Sequence, residues 1–301
     1  MHERIKNILV PTDFSNSAKN ALEVGIALAK RHSAQLHILH VIIPQYISYI
    51  GEADIPYDNW NDLEKISKNR LLETSKSIIK KHKINVVNFI DIGIVSESIE
   101  KYASKLHIDL VVMGMNGMRG INEHFVGRNT FQVIKNAICP VFAIPEKFSK
   151  SSFQQVLFPI GNTSANVDFD NYWALKNMIP SDDLEIDLLG ISRFEDYETS
   201  DRVKEKVSEL SNFIKKDGLK ASFQNIFCDN ITSFILEYAS INQSDLIVIN
   251  PNIDSDWEKY VLGNNMRKII NQAQCPILLI KPMFSNLLTI EKNTLNYSNQ
   301  N

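Results

Sequence analysis

An α/β fold built twice in tandem is what this sequence predicts, and three observations carry the prediction. Short apolar runs alternate with amphipathic stretches, the pattern of strands joined by crossover helices in a parallel sheet. Three blocks then recur at one offset of 136 residues: Tyr102-Ala103-Ser104 as Tyr238-Ala239-Ser240, Asp109-Leu110-Val111-Val112 as Asp245-Leu246-Ile247-Val248, and Cys139-Pro140-Val141 as Cys275-Pro276-Ile277. Finally, 301 residues suit two domains of ordinary size, each long enough to bury its own core.

In the first half, strands are expected at Ile8–Pro11, Gln35–Val41, Asn85–Ile90, Leu110–Gly114 and Val141–Ile144. Several are apolar without alternation, as strands are when helices cover both faces of a sheet. The helix after the first strand opens on Ser15 as N-cap and sets Ala18, Leu22, Gly25, Ile26 and Ala29 along one stripe. Before the fourth strand, Ile99, Tyr102, Ala103 and Leu106 fall at i, i+3, i+4 and i+7, the spacing of a core-facing helix. A last helix is expected over Thr130–Ala137. Pro44–Trp60 joins the second strand to its helix and carries Tyr46, Tyr49, Tyr57 and Trp60. It reads either as a lid or interface patch, or as cover for nearby core.

The second half reads as strand Val156–Pro159, a helix from about Ser164, strand Leu184–Leu189 and a charged helix through Val203–Lys215. A strand near Ala221–Phe227 follows, then a helix over Thr232–Ile241 with Ile231, Phe234, Ile235, Tyr238 and Ala239 facing the core. Strand Leu246–Asn250, helix Val261–Ala273 and strand Ile277–Ile280 complete it. The domain limits expected are 1–146 and 155–282, joined by a polar linker at 147–154 and followed by an Asn-rich tail at 283–301.

Composition narrows the function. The chain is 44% hydrophobic and 22% charged, and its net charge of −3 argues against nucleic acid or acidic membrane as partner. No apolar run approaches the roughly 18 residues that cross a bilayer, and the N-terminal residues run straight into a strand-like segment. Three cysteines (Cys139, Cys228, Cys275) form no metal-ligand spacing, and Cys139 and Cys275 occupy equivalent positions before a strand, where packing explains them. A reducing cytoplasm is the expected location.

The halves differ where chemistry would sit. Gly114-x2-Gly117-x9-Gly127 follows the fourth strand, whereas Asn250, Ile253 and Gly263 stand at the corresponding places in the second half. Glycines there let backbone turn close to a ligand, and a helix starting after the last one offers free N–H groups to an anion. Val10-Pro11-Thr12-Asp13-Phe14-Ser15 ends the first strand, where open α/β sheets bind ligands. Asp13 suits an adenine amino group or a ribose hydroxyl, and equally suits a helix start. The histidines show no metal-protease spacing. His40 and His124 lie nearest the site, where they read either as contacts to phosphate or, more simply, as solvated side chains.

Together, Ile8-Leu9-Val10-Pro11-Thr12-Asp13-Phe14-Ser15, the glycine loop and the Cys-Pro-Val ending resemble the universal stress protein family, as two tandem copies covering nearly the whole chain. The resemblance implies two doubly wound, five-stranded parallel-sheet domains of strand order 3-2-1-4-5, the adenine nucleotide alpha hydrolase-like fold, paired within the chain as a pseudo-dimer and able to form a homodimer. It implies ATP as ligand, with magnesium, held by Pro11, Thr12, Asp13 and Val41 near the adenine, and by Gly114, Gly117, Gly127, Asn129 and Thr130 toward the phosphates. Arg128 stands where the family has Ser or Thr after the last glycine. It either pairs with phosphate as a fork or fills the site.

The second copy departs further: Gly161 replaces Asp13, and Pro251 removes an N–H donor. The function expected is a stress-response sensor or regulator with nucleotide in the first domain and a regulatory protein as partner. The alternative is a nucleotide-free scaffold. Slow ATP hydrolysis is the most enzymatic activity the residues support.

Overall fold

A computed structural model describes residues 5–43, 60–115, 128–148, 150, 152–161, 165–179, 181, 183–193, 197–249 and 266–280. Contacts divide the chain into two units between Ser151 and Ser152.

The first unit runs β1 (Asn7–Pro11), α1 (Asn16–His32), β2 (Gln35–Ile42), α2 (Trp60–His82), β3 (Val86–Ile92), α3 (Val95–Lys105), β4 (Leu110–Gly114), α4 (Arg128–Asn136) and β5 (Val141–Ile144). Its strands are parallel in the order β3-β2-β1-β4-β5. Ile8, Leu9 and Val10 on β1, and Leu110, Val111 and Val112 on β4, have no exposed surface. Those two central strands therefore form the floor of the unit. Right-handed crossovers send α1 and α2 to one face and α3 and α4 to the other, and α1 packs on α2 as α3 does on α4. The chain reverses direction across the sheet between β1 and β4, which leaves a crevice at their carboxyl ends.

The second unit repeats this plan: β6 (Gln155–Ile160), α5 (Ala165–Met178), β7 (Glu185–Ser192), α6 (Tyr197–Lys216), β8 (Lys220–Phe227), α7 (Ile231–Ile241), β9 (Leu246–Ile249), α8 (Met266–Gln272) and β10 (Ile277–Leu279). Its order, β8-β7-β6-β9-β10, is the same 3-2-1-4-5 arrangement, again all parallel.

Local chemistry explains the ends of the elements. Ser15 caps α1, its side chain accepting the N–H of Ala18, and Ser33 closes it in the left-handed conformation at φ 57°. Of the α1 stripe, Ala18, Gly25, Ile26 and Ala29 are buried, while Leu22 is only half-buried. Helix α6 starts at Tyr197, six residues before the expected Val203, because its charged first turns lack the apolar spacing that marks the rest.

The repeated Asp is a clamp rather than packing alone. Asp109 Oδ2 accepts the backbone N–H groups of Lys6 (2.7 Å) and Asn7 (2.8 Å), and Asp245 accepts those of Gln154 and Gln155 at 3.0–3.1 Å. Each ties the start of its unit's first strand to the loop before the fourth. Cys139 and Cys275 are buried. Within the expected linker, Phe148 and Phe153 are buried at 7% and 2% exposure, so that segment is less polar in environment than in composition.

Candidate functional site

The carboxyl end of β1 is a turn held by its own side chains. Pro11 closes the strand, and the N–H of Thr12 extends the ladder to the carbonyl of Leu39 at 2.8 Å. Thr12 Oγ1 then accepts the N–H of Phe14 (3.0 Å), and Asp13 Oδ1 accepts that of Ser15 (3.0 Å). Between them Phe14 adopts φ 64°. An aromatic residue in the left-handed region carries a strain of about 1–2 kcal/mol. The two short side chains over-determine that strained position.

The Phe14 ring is held in turn. His40, near the end of β2, lies 4.8 Å from it between ring centroids, and the Arg70 guanidinium carbon of α2 sits over it at 4.2 Å. His40 Nδ1 lies 2.8 Å from the carbonyl of Thr12. A carbonyl only accepts, so Nδ1 carries a proton. Burial pushes the His40 pKa below its ordinary value, opposed by the Thr12 hydrogen bond and by Asp13, and assisted by Arg70. The solvated position expected for His40 is thus corrected: it is a half-buried brace of the Asp13 turn. His32 and His37 are buried as well, His37 Nε2 lying 3.0 Å from Asn7 Oδ1.

Across the crevice, Gly114 ends β4 under helix α1. A Cβ there would lie 2.3 Å from Ser17 Oγ and 2.8 Å from the Ser17 backbone carbon. Helix packing thus demands this glycine independently of any ligand. Thr130, only 2% exposed, donates its hydroxyl toward the carbonyls of Gly114 (3.0 Å) and Met115 (3.1 Å). That hydroxyl ties the start of α4 to the end of β4. A helix start presents backbone N–H groups and the positive end of its dipole, and Asn129 is exposed in this first turn. Val41 is half-buried on β2, beside His40. Gly117 and Gly127, His124, the aromatic segment before α2, and the side chain of Arg128 lie outside the described residues, although α4 begins at Arg128.

In the second unit the corresponding turn is occupied from within. Lys206 Nζ of α6 donates to the carbonyl of Gly161 (2.7 Å), the residue at Asp13's place, and lies 3.2 Å from Asp168 Oδ2. The two side chains are 11% and 5% exposed. Asn250, Pro251 and Gly263 lie outside the described residues. Among the described residues, no group of three His, Cys, Asp or Glu gathers as a metal site, and no helix is long and apolar enough to cross a membrane.

The sequence singled out Pro11, Thr12, Asp13, Val41, Gly114, Asn129 and Thr130, and these flank the crevice ends of β1, β2, β4 and α4. It missed Phe14 and Arg70 as parts of the same cluster. A signal existed: Leu71, Ser75 and Ile78 are buried along α2 and Val207, Ser211 and Ile214 along α6, each 136 residues apart. The repeat therefore places Arg70 and Lys206 at one position, both cationic.

Comparison with known proteins bears on the family and the fold. The family model described as the universal stress protein family matches residues 4–145. A universal stress protein of Methanocaldococcus jannaschii is 30% identical over 158 residues, which are 48% of this chain and 97% of that protein. A universal stress protein A homolog of Coxiella burnetii is 27% identical over 143 residues, 46% of this chain and 95% of its own length. The crystal structure of a universal stress protein from Archaeoglobus fulgidus matches at a TM-score of 0.70 and 16% identity, covering 92% of this chain and 97% of that one, a likeness of fold.

Proposed function

The chain belongs to the universal stress protein family, and from that premise we propose that its first unit binds an adenine nucleotide as a stress-response sensor or regulator. The base lies beside Asp13 and the end of β2, and the phosphates lie at the start of α4. One observation carries this reading. The Thr12–Ser15 turn holds a strained Phe14 at the topological switch point, with Asp13 beside a neutral His40. Strain of this kind is retained where function uses it. Magnesium would travel with the phosphates, as it does in sites without a dedicated protein cage. A protein partner would read the bound state, and a cytoplasmic location belongs to the same proposal.

For the second unit the nucleotide-free reading is favoured by a specific observation. The Lys206–Asp168 pair and the Gly161 carbonyl satisfy one another where the first unit has its Asp13 turn. One nucleotide per chain is therefore expected.

Calorimetric titration of the full chain with ATP and magnesium tests both statements. The expected result is one site per chain, weakened about tenfold or more by Asp13→Ala through loss of charge-assisted hydrogen bonds. No binding at millimolar ATP, or an affinity unchanged in a folded Asp13→Ala protein, would overturn the reading. A stoichiometry of two would overturn its restriction to the first unit.

A further inference from the structure

The geometry points to Arg70 as the base-recognising platform of the first unit's site: its guanidinium, seated on Phe14, stacks against the purine of the bound nucleotide. The inference rests on the nucleotide reading above and names a contact which that reading does not contain.

Position argues for the base rather than the phosphates. Arg70 stands over Phe14 and acts electrostatically on His40, as Asp13 does. These groups sit at the ends of β1 and β2. Gly114 and the start of α4 lie on the other side of β1, and β2 and β4 are two strand spacings apart, roughly 10 Å. A guanidinium on the β2 side therefore addresses the part of the ligand farthest from the phosphate tail.

Chemistry argues for stacking. Arg70 is exposed and pairs with no carboxylate among the described residues, so its cation is not consumed by an ion pair. A guanidinium is planar and weakly hydrated, and stacks on aromatic faces. With its carbon 4.2 Å from the Phe14 ring centroid, its exposed side is open to a second π system, as arginine planes are to unstacked bases. The strained φ of Phe14 gains a purpose on this view, because that backbone conformation sets the ring under the guanidinium.

The second unit supplies an internal comparison. At the position equivalent to Arg70, Lys206 reaches the end of the first strand and donates to Gly161. A side chain from this point of the helix thus spans to the crevice. There it is a compact ammonium held by Asp168, not a plane resting on an aromatic ring. The cation is shared by both units, and in the first it rests on a π surface.

The test uses the full chain, with Arg70→Lys and Arg70→Gln variants titrated with ATP and, separately, with inorganic tripolyphosphate. Both variants should lose about tenfold in ATP affinity, the scale of a stacking or cation–π contact, while tripolyphosphate binding changes by less than about twofold. Equal losses for ATP and tripolyphosphate would assign Arg70 to the phosphates and overturn the stacking role, as would an Arg70→Lys protein that binds ATP like the parent. Asp13→Ala separates the two levels. ATP binding that depends on Asp13 but not on Arg70 removes this inference alone, whereas a parent protein that does not bind ATP removes the nucleotide reading and this inference with it. Unfolding midpoints of the variants, expected to match the parent at this exposed position, exclude loss of fold as the cause.

Discussion

Lys206 and Asp168 form an ion pair, Nζ to Oδ2 at 3.2 Å, almost wholly withdrawn from water. The ammonium also donates to the Gly161 carbonyl at 2.7 Å. Two charges so placed are expensive to desolvate and are repaid only when every partner is present. The pair therefore marks the second unit's crevice end as closed by its own side chains.

Lys206→Met should cost about 3–5 kcal/mol in urea unfolding, because it leaves Asp168 buried and the Gly161 carbonyl without its donor. The double variant Lys206→Met, Asp168→Leu should recover most of that loss. A single variant as stable as the parent would mean that water reaches Asp168.

Stability should fall as the pH drops below the ordinary histidine value of 6.5. Burial lowers the pKa of His40 and His37 from 6.5 in the folded chain. The unfolded chain takes up these protons first, so stability is complete above the ordinary histidine value and is lost as the pH falls toward the depressed folded values. In urea unfolding at several pH values, His40→Gln should flatten part of that slope.

Gly114→Ala should destabilise the chain by about 1–3 kcal/mol, the range for overpacking a tight contact. Adding Ser17→Gly should not restore stability, since the new Cβ also lies 2.8 Å from the Ser17 backbone carbon. Thermal unfolding of the two proteins decides it. Full rescue would place the clash in the Ser17 side chain alone.

One of the three thiols should react under native conditions. Cys228 is partly exposed, whereas Cys139 and Cys275 are buried, and burial pushes the Cys275 thiol up to about 12. A neutral, buried thiol is a poor nucleophile. Mass spectrometry after alkylation should show one adduct in buffer, on Cys228, and three in denaturant.

Much of the fold was legible from residue order. The apolar runs at Leu110–Gly114 and Val141–Ile144 are the strands observed, because a strand covered on both faces must be apolar throughout. Edges were less legible. β3 runs to Ile92 rather than Ile90, since an edge strand half-open to water lacks a sharp apolar boundary. The site was legible as a stretch of chain ending in Asp13, but not as a cluster. Nothing in the spacing of Phe14, His40 and Arg70 announces that they meet, for they come from β1, β2 and α2 and converge only through the sheet register.

Sequence alone determined the α/β class, the duplication and the loss of Asp13 in the second copy, because periodicity and repetition are properties of residue order. Tertiary structure decided what each shared residue does. It made Asp109 and Asp245 strand clamps, assigned Gly114 to helix packing and Thr130 to the base of α4, and turned the shared cation outward onto Phe14 as Arg70 but inward onto Asp168 as Lys206. The reason is physical: the worth of a charge or a hydroxyl depends on the partners and the water around it, and those are set only when distant segments pack.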